Sequence, residues 1–252
     1  MKKNSRSAQA VLRANQQNAL SVAALVDEGN RLMEAGQHHA AQEAFQSAVD
    51  VLLAARSRDD KRLAIARYNL ARAFAAQGKT ERAMSEYRAA LALRPRFPEA
   101  QNNLGMLLND AGRFEEAAEL FRRALATDPL FASAHYGLGV ALQNLGQIQE
   151  AALCYQRAIT LKPDFYASWV NLGLICYAVG SPDVAVHCFN EAIGLCPGNA
   201  ELYFQLGLAF MAQQRFTDAA RAFSRAVELQ PDYALARDAL EEALYFKLTA
   251  QS

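Results

Sequence analysis

The sequence has no surplus of charge of either sign: Lys+Arg and Asp+Glu each number 26 in 252 residues. A general nucleic-acid binder needs a basic excess to release counterions, so nucleic acid is excluded as a partner class. No uninterrupted apolar run approaches about 18 residues, so no membrane insertion is predicted. The start, MKKNSRSAQAVLRANQQNALSV, is basic but lacks the apolar core of a secretory signal, and no Cys lies near it for lipid attachment. The expected location is the cytoplasm. Cysteine is scarce as well. Cys154, Cys176, Cys188 and Cys196 form no CxxC and have no His at ligand spacing, so they read as small apolar filler in a reduced compartment. No phosphate-loop glycine motif, G-x-S-x-G elbow or H-E-x-x-H pattern occurs. Histidine gives no ligand set: His38 and His39 point two ways, His135 reads as packing, and His187 as an outer-face residue. Glu115-Glu116 and Glu241-Glu242 are adjacent in sequence, so each pair diverges on a helix. No catalytic residue, metal or cofactor is assigned, and the expectation is a protein that is not an enzyme.

Apolar residues make up 52% of the chain, which excludes disorder over most of it. Its punctuation repeats. Five of seven prolines, Pro95, Pro129, Pro163, Pro197 and Pro231, fall at intervals of 34 residues. Gly105, Gly139, Gly173 and Gly207 keep the same interval, as do Gly78, Gly112, Gly146 and Gly180. Gly29 and Gly36 extend both series backward with an offset of eight residues. In blocks of 34, a small residue stands at position 8, Gly at 15, Ala at 20, an aromatic at 24, Ala at 27 and Pro at 32. Each block holds two amphipathic helices, A and B. Gly at 15 closes helix A in the left-handed region, and Pro at 32 cannot continue helix B. The small residues at 8 and 20 let A and B approach, and the ring at 24 fills the gap beside position 11. One such pair cannot bury its apolar face alone, so neighbours must stack.

The clearest copy runs Trp169-Val170-Asn171-Leu172-Gly173, then Gly180, Ala185, Phe189, Ala192 and Pro197. It resembles the tetratricopeptide repeat, whose signature is W-x2-L-G…A-x3-F…P. The resemblance spans residues 22 to about 233. It implies an all-α fold, a right-handed α-solenoid (superhelix) of antiparallel helix pairs. Repeats are expected at 22–63, 64–97, 98–131, 132–165, 166–199 and 200–233. The first carries an eight-residue insert, Arg56 to Leu63, and lacks Pro at position 32, so its B helix is expected to run on through Arg62. Ala71 replaces Gly at position 8 of the second repeat, and Gln214 replaces Gly at position 15 of the sixth. Residues 234–252 read as a capping helix with a polar outer side. Residues 1–21 carry Lys2, Lys3, Arg6 and Arg13 and no acid, and read as a disordered basic arm or a weak helix.

The resemblance further implies that helix A lines a concave groove with positions 2, 5, 6, 9, 12 and 13. Position 6 reads Asp27, Asn69, Asn103, Gly137, Asn171 and Gln205. An amide column could pair with an extended peptide backbone, and this one is similar to the asparagine ladder of O-linked N-acetylglucosamine transferases. The competing reading is that Asn is simply a solvated choice there. Positions 5, 9 and 12 are apolar toward the C-terminal half: Tyr136, Val140, Val170, Leu174, Tyr177, Phe204, Leu208 and Met211, with Tyr68 and Met106 upstream. Some could instead pack between helices. Covering about 300 Å² of such surface is worth about 7 kcal/mol gross, which ordering costs reduce to micromolar affinity.

Groove charge leans acidic, with Asp27, Glu34, Glu99, Asp110 and Glu201 against Arg72. The carboxylate clamp of chaperone-binding repeats needs basic residues where this sequence has Val26, Glu99 and Asn103, although Asn30 and Asn69 would fit it. A carboxylate clamp is therefore not expected. The sequence predicts a non-catalytic bacterial scaffold or adaptor that holds a peptide or amphipathic helix of another protein, apolar and compatible with basic residues. Alternatives are a substrate-recognition subunit of a glycosyltransferase or similar enzyme system, or a secretion or pilus-assembly factor. Self-association is left open.

Overall fold

The computed structural model describes residues 21–55 and 59–250. The basic arm lies outside these residues except for Ser21, which is already helical. Among the described residues every regular element is a helix. The chain divides into two compact units, Met1–Pro129 and Leu130–Ser252. The first holds α1 (21–34), α2 (His38–Ala54), α3 (Asp60–Ala76), α4 (Thr80–Leu93), α5 (Pro98–Asp110) and α6 (Phe114–Thr127). The second holds α7 (Ala132–Asn144), α8 (Ile148–Leu161), α9 (Tyr166–Ala178), α10 (Pro182–Leu195), α11 (Ala200–Ala212), α12 (Phe216–Leu229) and α13 (Ala234–Thr249). Consecutive helices pack on one another as hairpins, and within each unit successive hairpins stack.

Every A helix from α1 to α11 ends in the same way. Gly36, Gly78, Gly112, Gly146 and Gly180 have φ between +71° and +76°. The residue after each glycine donates its N–H five residues back, as from Gln147 to Leu142 O (2.9 Å), and the glycine donates three back, as from Gly146 to Gln143 O (3.1 Å). This double bond satisfies carbonyls the helix end would leave open. Gln214 adopts the same turn at φ 58°, and Arg215 still reaches Phe210 O at 3.0 Å.

Between the two helices of each hairpin, the ring at position 24 is buried in every repeat: Phe45, Tyr87, Phe121, Tyr155, Phe189 and Phe223 are at most 2% exposed. A Cβ on Gly29, Gly105, Gly139, Gly173 or Gly207 would lie 2.4–2.8 Å from that ring. In these five hairpins the helices thus approach to a distance that leaves no room for a side chain at position 8, and alanines at 20 and 27, such as Ala185 and Ala192, are fully buried beside them.

Two expectations need correction. Helix α2 has 17 residues against 14 for the other B helices, but it stops at Ala54 rather than running through Arg62. The Asp59 side chain accepts the Arg62 N–H at 3.0 Å and so starts a new helix within the insert. Helix α13 does cover the preceding pair, burying Ala236 and Ala243, but its exposed surface mixes charged side chains with large apolar ones instead of being polar. Leu235, Leu244, Tyr245 and Leu248 are 42–67% exposed.

Candidate peptide-binding surface

In the first unit, Tyr68 (α3) is half-buried. Its ring lies 5.9 Å from that of Tyr87 and 4.9 Å from that of Phe97. The Arg72 guanidinium sits 5.8 Å from its centroid and donates to Asn69 Oδ1 at 3.3 Å. Asn69 itself is buried, at 5% exposed. Asn103 (α5) donates to the Tyr68 and Tyr87 hydroxyls at 3.4 and 3.3 Å and accepts from Asn102 at 3.2 Å. Met106 is half-buried one turn further along the same helix.

In the second unit, Tyr136 (α7) repeats the arrangement, 5.9 Å from Tyr155 and 4.9 Å from Phe165. Phe204 (α11) repeats it again, 5.7 Å from Phe223 and 5.1 Å from Tyr233. The Tyr155 hydroxyl donates to Gln143 Oε1 at 2.8 Å and is hydrogen-bonded to Asn171. Gln205 donates to Glu201 at 2.7 Å, and the Tyr233 hydroxyl donates to the same carboxylate. Val170, Leu174, Tyr177, Phe204, Leu208 and Met211 rest partly buried on the core of this unit. Val140 is half-buried on α7. They form an apolar surface that is supported from beneath and open above.

The aromatic residues at position 5 therefore stand in alternate repeats, each packed between the buried ring of its own hairpin and the ring that precedes the next A helix. The amides at position 6 also serve the fold, because Asn103 and Asn171 satisfy hydroxyls wherever the buried ring of the preceding repeat is Tyr instead of Phe. Burial pushes the Tyr87 hydroxyl up to about 12, against a smaller opposing effect of its bond from Asn103. Burial likewise raises Tyr68 and Tyr155, and for Tyr233 burial and the Glu201 carboxylate both raise it. These phenols stay protonated at physiological pH and act as hydrogen-bond groups. The four cysteines are free thiols, and burial pushes Cys188 up to about 12.

One recurrent contact was not read from the sequence. On α5, α9 and α13, position 4 carries an N–H donor aimed at the proline carbonyl six residues earlier. Gln101 reaches Pro95 O at 2.7 Å, Trp169 reaches Pro163 O at 2.8 Å, and Arg237 reaches Pro231 O. The shared signal is an N–H group on otherwise unlike side chains. A cavity of about 240 Å³ was also missed, lined by Val22, Ala23, Val26, Asp27, Arg62 and Ile65.

The tetratricopeptide repeat pattern matches at residues 26–98, 68–130, 102–164, 136–200, 171–234 and 204–246. The chain belongs to the tetratricopeptide repeat family. No curated protein matches it. Among solved structures, it is similar to YrrB, described as a tetratricopeptide repeat protein with an unusual peptide-binding site. That match has 25% identity and a TM-score of 0.67 over 79% of this chain and 99% of YrrB. It is also similar to MamA, at 27% identity and a TM-score of 0.60 over 66% of this chain and 96% of MamA. PilF of Pseudomonas aeruginosa shares the fold, with 18% identity and a TM-score of 0.76 over 90% of this chain and 99% of PilF. No helix among the described residues is long and apolar enough to cross a membrane.

Proposed function

We propose that this tetratricopeptide repeat protein is a non-catalytic scaffold or adaptor whose A-helix surface holds a peptide or amphipathic helix of another protein, apolar and accepting basic residues. The observation that carries the reading is the row of half-buried apolar side chains at positions 9 and 12 of the second unit: Val140, Leu174, Tyr177, Leu208 and Met211. They are packed below yet still reach solvent, as a contact surface does. The peptide-binding site named for YrrB supports the same use of the fold. An amide ladder of the glycosyltransferase type has less support, since Asn103 and Asn171 already bond to tyrosine hydroxyls. A role in secretion or pilus assembly rests on likeness of fold to PilF and on nothing in the site.

The test is affinity capture with wild type and with Leu174→Asp plus Leu208→Asp, chosen because neither residue belongs to an aromatic stack. The variant should lose its partners while keeping its helical circular dichroism. A folded variant that retains every partner refutes the assignment.

A further inference from the structure

We infer that α13 is part of the ligand surface and that it reads basic residues of the partner, a segment rich in Lys or Arg with interspersed apolar residues. This deepens the proposed function and rests on it. In the repeat register, Leu235, Asp238, Glu242 and Tyr245 of α13 take positions 2, 5, 9 and 12, all groove-facing positions, of which 5, 9 and 12 form the apolar surface on α7, α9 and α11. All four are exposed, Leu235 and Tyr245 at 63% each. The start of α13 is joined to α11 through the Tyr233–Glu201 hydrogen bond and the Tyr233–Phe204 ring contact.

Charge selects the occupant. From Leu130 onward, the positions that face the groove carry Glu201, Asp238 and Glu242 and not one Lys or Arg. Glu201 is engaged by Tyr233 and Gln205. Asp238 and Glu242 make no ion pair or hydrogen bond among the described residues, and they sit one helical turn apart, where like charges repel. The neighbouring Arg237 points instead to the Pro231 carbonyl. The two carboxylates are thus left facing outward, and the Tyr245 ring beside them offers a π face that attracts cations. A partner placing cations over Asp238 and Glu242 and apolar side chains over Leu208 and Met211 relieves the repulsion and covers the apolar surface in one contact.

The experiment uses the full chain and two labelled synthetic amphipathic peptides, one of leucine and lysine and one of leucine and glutamate, read by fluorescence anisotropy. The lysine peptide should bind at least about tenfold tighter than the glutamate peptide. Asp238→Asn with Glu242→Gln should weaken the lysine peptide by about tenfold or more. Glu150→Gln with Glu191→Gln removes the same charge from exposed sites on B helices and should change binding by less than about twofold. Equal effects of the two pairs, or equal binding of the two peptides, overturn the inference. So does sedimentation showing that Asp238→Asn with Glu242→Gln dissolves a dimer, which would assign the surface to a second copy. Loss of binding in Leu174→Asp without an effect at Asp238 and Glu242 keeps the groove and discards the role of α13. Insensitivity at all three positions discards both.

Discussion

Replacing Gly207 by alanine isolates the contact on which each hairpin is built. The added Cβ would stand 2.4, 2.6 and 2.8 Å from three ring atoms of Phe223. At the closest atom this is about 1 Å short of ordinary carbon–carbon contact. The ring has no room to retreat, because Phe223 is 0% exposed and Phe204 lies against it at 5.7 Å. Two effects oppose each other. Alanine gains about 0.8–1.0 kcal/mol over glycine in a helix interior. Overpacking a filled core costs about 1–3 kcal/mol. With a fully enclosed ring the upper half of that range applies, so net destabilisation should be about 1–2 kcal/mol. Urea denaturation followed by the fluorescence of Trp169, the single tryptophan, reports on the unit concerned. Trimming the ring in Gly207→Ala with Phe223→Leu should make the second change cost less than it does alone, since the two sites share one space. A Gly207→Ala protein as stable as wild type or more so would refute the reasoning. The second repeat shows that the site can be built otherwise, because Ala71 occupies this position and is fully buried there.

Two further outcomes are expected. Gln214→Gly should raise stability by about 1 kcal/mol in the same denaturation assay, because Gln214 holds φ 58° where a side chain costs about 1–2 kcal/mol and glycine costs little. Alkaline pH should destabilise the first unit: the unfolded phenol of Tyr87 loses its proton near 10, whereas the folded one keeps it to about 12. The stability this provides is complete below pH 10 and is lost as pH rises to about 12. Denaturation midpoints over that interval, with phenolate absorbance as the second readout, check the window.

The architecture was legible because its determinants are backbone constraints that few residues satisfy. Proline at 32 and glycine at 15 act through φ and a missing N–H, and the structure returns the same closed turn at Gly36, Gly78, Gly112, Gly146 and Gly180. The position-4 contact was illegible for the opposite reason. A proline carbonyl accepts from any N–H of suitable reach, so glutamine, tryptophan and arginine all serve and leave no common letter. The end of α2 departs from the expectation because a missing proline permits continuation but does not enforce it, and the Asp59 side chain, by accepting the Arg62 N–H, starts a new helix. The exposed side of α13 departs from the polar cap that the family resemblance implies because its own letters, LEEALYFKL, put large apolar groups on more than one face.

Under the proposed function, the A-helix positions divide their labour between fold and ligand. At position 5, Tyr68, Tyr136 and Phe204 each lie between the buried ring of their own hairpin and the ring that starts the next A helix, so their geometry is set before any partner arrives. At position 6, the amide is tied to the hydroxyl of the buried tyrosine in the preceding repeat for Asn103 and Asn171. Positions 9 and 12 carry no such obligation, and there Val140, Leu174, Tyr177, Leu208 and Met211 meet solvent with one side only. A substitution at position 5 should therefore cost stability and affinity together, whereas one at position 9 should cost affinity with a smaller loss of stability, from the part of the side chain that rests on the core. The alternation every second repeat follows from this division. Where position 5 is aromatic the hairpin supplies a rigid ridge, and where it is Val170 the surface drops between two ridges. A bound segment would meet a surface corrugated at twice the repeat length, one that favours side chains of alternating bulk over a uniform apolar strip.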